Sequence, residues 1–271
     1  MRSALRAARV IHPFPSVLVA ATALVLVAVA DAGVPVHVYV AVGLGMLFYQ
    51  ATIGTANDLA DMDSDRLLKP SKPLVAGALT PRAAAGLAAA TCLAGLGITA
   101  ILSWEAWLLG VACLACGLAY DFGLKRSRWS WTPYSLAFSL LPVWVFVAAG
   151  AWSALLWWVF PLGAVLGFAL HLANQAADVA APEADYMGLP SLIGAARSDT
   201  IAVLAFTLAA TGATLVLALA GHAVQAWVAA GIGVVSLPLS RVAHRSKVAT
   251  ALFGLLAFGA AALAVAFLSA A

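Results

Sequence analysis

Nine apolar stretches, each close to the thickness of a bilayer when coiled as a helix, take up most of this 271-residue chain. They fall at 15–32, 36–56, 83–102, 104–119, 131–151, 155–176, 199–220, 223–243 and 249–270. A helix needs about 20 apolar residues to cross hydrocarbon. The stretches are rich in Ala and Leu and are continuous, not alternating, so membrane strands are excluded. Backbone in lipid must satisfy its own hydrogen bonds. The expectation is an all-α polytopic membrane protein with nine transmembrane helices, forming one integral domain over 1–271. Composition agrees, since 9% of residues are charged and a soluble domain carries about 25%.

The basic residues orient these spans. Arg2, Arg6 and Arg9 precede the first, and Arg66, Lys69, Lys72 and Arg82 separate the second from the third. Lys125, Arg126 and Arg128 follow the fourth, Arg197 the sixth, and Arg241, Arg245 and Lys247 the eighth. These are all 14 Lys and Arg of the chain, and every one falls in an alternate loop. The positive-inside rule therefore predicts a cytoplasmic N-terminus and an external C-terminus. The first stretch is too long for a signal-peptide core and is followed at once by another span, so it reads as an anchor. The net charge of +3 comes from juxtamembrane residues and needs no nucleic-acid partner. The predicted setting is a cell membrane, most simply a bacterial inner membrane. Cys113 and Cys116 form a C-x-x-C inside an apolar helix with no second pair or His beside it, so they read as packing residues.

The predicted inner loops are longer than the outer ones, which places function on the cytoplasmic side. Between 57 and 82, Asp58, Asp61, Asp63 and Asp65 put four carboxylates within eight residues. If the second span continues, Asn57, Asp58, Asp61 and Asp65 share a helical face and Asp63 points away. Like charges on one stripe repel, and acidic groups at a helix C-terminus oppose the macrodipole. A counter-ion is therefore expected. Oxygen ligands without Cys or His select Mg²⁺. Arg66, Lys69 and Lys72 follow, and cations beside a Mg²⁺ cluster suit a diphosphate.

A second polar stripe ends the sixth span. His171, Asn174 and Asp178 stand at i, i+3 and i+7, and Asn174–x₃–Asp178 repeats the spacing of Asn57–x₃–Asp61. Both sites end a helix running from outside to inside, so a pseudo-repeat is plausible. Pro182 then breaks the helix, leaving Glu183 and Asp185 on a loop. His171 is the deepest of the set, and both a hydrogen bond within the bundle and contact with substrate are open to it.

These stretches resemble the UbiA superfamily of intramembrane prenyltransferases. Asn57 to Asp65, with the Lys72–Gly77 segment, is similar to the first Asp-rich motif of that family. Tyr120, Asp121, Lys125 and Arg126 are similar to its cytosolic loop after the fourth span, and Asn174 to Gly194 to its second Asp-rich motif. The resemblance implies a nine-helix bundle around a central cavity open to lipid. It implies two facing Asp motifs whose Mg²⁺ ions bind an isoprenyl diphosphate. On that basis Asp58, Asp61, Asp65, Asp178 and Asp185 are the expected metal ligands. Asp61, Asp178 and Lys125 are the expected catalytic groups. Asn57, Arg66, Lys72, Tyr120, Arg126, His171, Asn174 and Tyr49 are the expected substrate contacts. The family usually carries another Asp at the position of Pro182, so Glu183 or Asp185 would have to substitute there.

The activity so implied is Mg²⁺-dependent transfer of an isoprenyl group to a small hydrophobic or aromatic acceptor, such as a quinone precursor, within lipid. An intramembrane terpene cyclase, in which the substrate's own double bonds capture the cation, is the alternative. Tyr49, Phe48, Tyr120, Phe138 and Phe168 are candidates for stabilising an allylic cation. A secondary transporter is disfavoured, because the polar groups cluster at one face and not at mid-membrane.

Overall fold

The computed structural model describes residues 7–31, 33–179, 188–239 and 246–271. Pro182, Glu183 and Asp185 lie outside that range, as do Arg2, Arg6, Arg241 and Arg245. The described residues form helices and no strands. In chain order they are α1 (Pro13–Ala30), α2 (Val36–Ala60), α3 (Met62–Leu68), α4 (Pro81–Thr99), α5 (Trp104–Phe122), α6 (Thr132–Ala148), α7 (Leu156–Val179), α8 (Leu189–Ile193), α9 (Ala195–Leu219), α10 (Ala223–Ser236) and α11 (Ser246–Leu268). Seven of them, α1, α2, α4, α5, α7, α9 and α11, are long and apolar enough to cross a membrane. α6 and α10 are apolar but shorter, at 17 and 14 residues. They fall where the fifth and eighth spans were expected to run to 151 and 243.

Local chemistry explains several boundaries. α4 begins where Thr80 accepts from the Ala83 amide with Pro81 at the first helical position, and α5 where Ser103 accepts from Ala106. Both caps satisfy amides that the helix itself leaves open. The second span does not run on as one regular helix. α2 ends at Ala60, and Asp61 leaves helical geometry at φ −94°, ψ 2° before α3 begins. The hydrogen bonds nevertheless carry across, with Asp61 N to Asn57 O at 2.9 Å and Asp65 N to Asp61 O at 2.8 Å. The result is a kink that turns Asp61 relative to its neighbours.

The helices close a ring. α1 packs on α2, α2 on α5, and the sequence continues through α6, α7, α9, α10 and α11 back to α1, while α4 backs α2. Small residues bring the backbones together. Gly163 and Gly167 form a G-x-x-x-G on α7, facing the backbone of α6. A Cβ at Gly167 would lie 2.4 Å from the Tyr134 carbonyl, and one at Gly163 2.8 Å from that of Phe138. Ser135 and Ser139 use the same close approach to donate to the Ala164 and Phe160 carbonyls, at 2.8 and 3.0 Å. Where lipid supplies no hydrophobic drive, such packing and interhelical bonds hold helices together.

Candidate functional site

A cavity of about 590 Å³ occupies the interior of the ring. Its polar end is lined by Asn57, Asp61, Lys69, Lys72, Tyr120, Asp121, Lys125, Asn174 and Asp178. Away from that end the wall turns apolar, with Leu26, Met46, Leu141, Val159 and Phe267 among its lining residues. From Asp178 to Val159 along α7 is about 28 Å of helix, so the cavity runs through most of the bundle.

The predicted stripe on α2 and α3 divides into two lines. Asp58 and Asp65 are seven apart and meet the same cation, since Lys72 Nζ lies 2.8 Å from Asp58 Oδ1 and 2.6 Å from Asp65 Oδ2. His12 Nε2 adds a third contact, 2.8 Å from Asp58 Oδ1. Neither Asp58 nor Asp65 lines the cavity; they stand behind Lys72, which does. Asn57 and Asp61 form the other line and face inward.

Burial alone would lower the Lys72 ammonium, but hydrogen bonds and charge from Asp58, then Asp65, outweigh it and hold its pKa above the usual lysine value. Burial pushes the Asp65 carboxyl above the usual carboxylate range, and Lys72 only partly offsets this.

His12 owes its place to a tight approach. It adopts left-handed backbone geometry at φ 49°, ending a short 3₁₀ turn at Ala8–Ile11. That turn lies on Gly54, where a Cβ would be 3.1 Å from the Ile11 carbonyl carbon. Glycine at 54 thus lets the His12 imidazole reach Asp58.

Across the cavity, the tip of α5 and the turn Leu124–Arg126 carry Tyr120, Asp121 and Lys125. Lys125 ion-pairs with Asp61 and lies 5.7 Å from the centre of the Tyr120 ring. Asn57 Nδ2 donates to Asp121 Oδ1 at 2.9 Å. From α7, Gln175 donates to the Tyr120 hydroxyl and Asn174 to the Tyr134 hydroxyl at 3.0 Å. Asp178 reaches back to Lys69 Nζ at 2.5 Å, which ties the tip of α7 to the segment after α3. The two acidic stretches therefore border one shared space.

Other expected residues lie elsewhere. Arg66 pairs with the exposed Asp63 at 2.7 Å, and Arg126 is exposed; neither lines the cavity. His171 is fully buried behind the wall, 3.0 Å from Ser130 Oγ and edge-on to Tyr120 and Tyr134. There it supports the two tyrosines whose hydroxyls face the α7 amides. Tyr49 lines the cavity through its ring, with its hydroxyl bound to Thr99 at 2.7 Å. Of the other aromatic candidates Tyr120 and Phe138 line it, and Phe48 and Phe168 do not.

Sequence reasoning passed over His12, Tyr134 and Gln175, named Lys69 only among the cations after the acidic stretch, and gave Asp121 no separate role. Gln175 had a legible signal, because it adjoins Asn174 one turn before Asp178. His12 and Tyr134 had none, as their partners are 46 and 40 residues away.

The donors at the polar end fit a hard cation. They are oxygens, and the cysteines in the wall, Cys113 and Cys116, lie one to two turns deeper on α5. Among the described residues, no three His, Cys, Asp or Glu side chains gather around one point. That suits Mg²⁺, which takes one or two carboxylates and completes its shell with water and substrate phosphate.

The UbiA prenyltransferase family model matches residues 17–251. The chain belongs to the UbiA prenyltransferase family. The fold is that of solved members at low sequence identity. A UbiA homologue from Archaeoglobus fulgidus, bound to GPP and Mg²⁺, superposes with a TM-score of 0.77 at 18% identity, covering 97% of this chain and 99% of that one. An apo UbiA homologue from Aeropyrum pernix K1 gives 0.70 at 19% identity, covering 93% and 96%. A digeranylgeranylglyceryl phosphate synthase structure gives 0.71 at 15% identity, covering 99% and 98%. No curated protein matches the sequence. As a UbiA family member, the chain is a multi-pass membrane prenyltransferase.

Proposed function

We propose that this UbiA family member transfers an isoprenyl group from a prenyl diphosphate to a small aromatic or quinone-precursor acceptor, within the membrane and with Mg²⁺. The observation that carries the reading is the shared cavity, with Asp61, Asp178, Lys69, Lys72 and Lys125 at one end and a long apolar wall beyond. Such a space matches a molecule with a polyanionic head and a hydrocarbon tail. The A. fulgidus homologue solved with GPP and Mg²⁺, and again with DMAPP and Mg²⁺, supports it.

In this reading Asp61 and Asp178 would hold the cation, with Asp58 and Asp65 adding negative charge behind them. Bound Mg²⁺ would supply charge neutralisation and Lewis acidity toward the leaving diphosphate. Lys72, Lys69 and Lys125 bind the phosphate oxygens, exchanging a carboxylate partner for a phosphate one as substrate enters. Asn57 and Asn174 orient the head group by hydrogen bonds. The Tyr120, Tyr49 and Phe138 rings face the allylic carbons, where their π faces stabilise positive charge. The apolar wall excludes water, so the cation is captured by the acceptor. α6 and α10 cross beside the seven longer helices, which gives nine spans with the charged end cytoplasmic.

A panel of prenyl diphosphates, each with and without aromatic acceptors, tests this in detergent-purified protein. The expected result is Mg²⁺-dependent diphosphate release with an acceptor-dependent prenylated product, both abolished by Asp61→Ala. A cyclised hydrocarbon or alcohol formed without acceptor would assign the cyclase reading instead, and unchanged turnover in Asp61→Ala would remove the metal clamp.

A further inference from the structure

The face of α2 that borders the cavity carries Met46, Tyr49, Gln50, Ile53, Asn57 and Asp61. Asn57 and Asp61 belong to the polar end, and the positions before them should match the apolar wall. Gln50 does not. It stands seven residues before Asn57, about 10 Å further from the polar end along the helix.

Other polar groups in the wall are satisfied within the bundle. Thr22 donates to the Leu18 carbonyl at 2.8 Å, and the Tyr49 hydroxyl is bound to Thr99 at 2.7 Å. Gln50 has one contact, from Nε2 to the Met46 Sδ at 3.7 Å, and a thioether is a weak acceptor. Among the described residues nothing donates to its Oε1. The side chain is half-buried, so it keeps accessible surface on a helix face that borders the cavity.

An amide oxygen among apolar groups with no donor costs free energy. Packing does not require it, because methionine would fill the same space. The open group is an acceptor, so its complement is a ligand that carries a hydrogen-bond donor to an apolar depth. A prenyl tail has no donor, and the diphosphate belongs at the other end.

We infer that Gln50 is a specificity-determining residue that accepts a hydrogen bond from a hydroxyl of the acceptor, which makes the acceptor class a hydroxylated aromatic ring. This rests on the proposed function and narrows it. Met46 and Ile53, one turn to either side on the same face, suit the apolar faces of such a ring. A hydroxyl held at Gln50 sets the ring beyond the diphosphate, on the side of the allylic carbon. A ring without the hydroxyl leaves the amide unpaired, which is how a polar site rejects an analogue.

The test separates acceptor from donor. Purified full-length protein is given Mg²⁺, the best donor of the prenyl diphosphate panel, and either 1,4-dihydroxynaphthalene or 4-hydroxybenzoate, with the matching methyl ether as competitor. Gln50→Met is expected to raise the KM of the hydroxylated acceptor about fivefold, on the scale of one hydrogen bond. The donor KM and inhibition by the methyl ether should not change, whereas a merely structural role would move all three. Gln50→Asn keeps an amide on a shorter stem and should lose less. An unchanged acceptor KM in Gln50→Met overturns the inference, as does an equal weakening of donor or methyl ether. Product from neither hydroxylated ring, while another acceptor of the panel is prenylated, overturns it and leaves the proposed function standing. No acceptor-dependent product from any of the panel would overturn both.

Discussion

At the residue scale, Lys72 illustrates how one side chain holds two acidic positions that would otherwise repel. Its ammonium lies within 2.8 Å of Asp58 and 2.6 Å of Asp65, and both carboxylates are almost fully buried. Lys72→Met should therefore destabilise the protein by about 3–5 kcal/mol, the cost of leaving buried charge unpaired. Denaturant unfolding in detergent micelles would measure it, with Lys72→Arg expected to lose less. The pH dependence has a defined sign. A lysine pKa raised by folding contributes stability that is complete below the unfolded value of about 10.4 and is lost as pH rises through the higher folded value. The Lys72 contribution should thus be constant across neutral pH and disappear only in alkali. Asp65, also raised by folding, favours the folded state in its protonated form, so that contribution fades as pH rises above the ordinary carboxylate range.

At the scale of elements, contact between α6 and α7 sets the geometry of the site. Tyr134 on α6 and Asn174 on α7 are hydrogen-bonded across it, and Gly163 and Gly167 let the two backbones come close enough. Gly167→Ala would place a methyl 2.4 Å from the Tyr134 carbonyl oxygen, a distance no packed atom tolerates. It should cost about 1–3 kcal/mol through overpacking and reduce prenyl diphosphate turnover by parting Tyr134 from Asn174. Gly231→Ala on α10 meets nothing within 4 Å and should be neutral or stabilising by up to about 1 kcal/mol. Thermal unfolding and turnover of the two variants, measured side by side, check this. The elements themselves were largely legible, because spans of Ala and Leu with charge confined to alternate loops leave few alternatives. The kink at Asp61 was not. Helical periodicity places Asp58, Asp61 and Asp65 on one broad face, and only their partners in the fold, Lys125 for Asp61 and Lys72 for Asp58 and Asp65, divide it.

At the scale of the whole molecule, the closed ring brings the tips of α2, α5 and α7 to one cavity. The repeated Asn–x₃–Asp spacing announced two of these tips, since each motif lies at the end of an apolar span. The third was legible as the Tyr120, Asp121, Lys125 and Arg126 run after the fourth span, without a repeat to pair it. The hydrogen bond that ties Asp121 to Asn57, 64 residues earlier in the chain, has no local signature. Contacts between separate helices can be recognised in a sequence only where a motif repeats, and Asp121 belongs to no repeat.

The convergence of these tips on one diphosphate is tested most directly by solving the structure with Mg²⁺ and the unreactive analogue geranyl thiodiphosphate. The account predicts metal and phosphate density between Asp61 and Asp178, with Lys72 and Lys125 on the phosphate oxygens and the hydrocarbon tail running past Tyr49. Ligand density outside this cavity, or a metal that touches neither carboxylate, would contradict it.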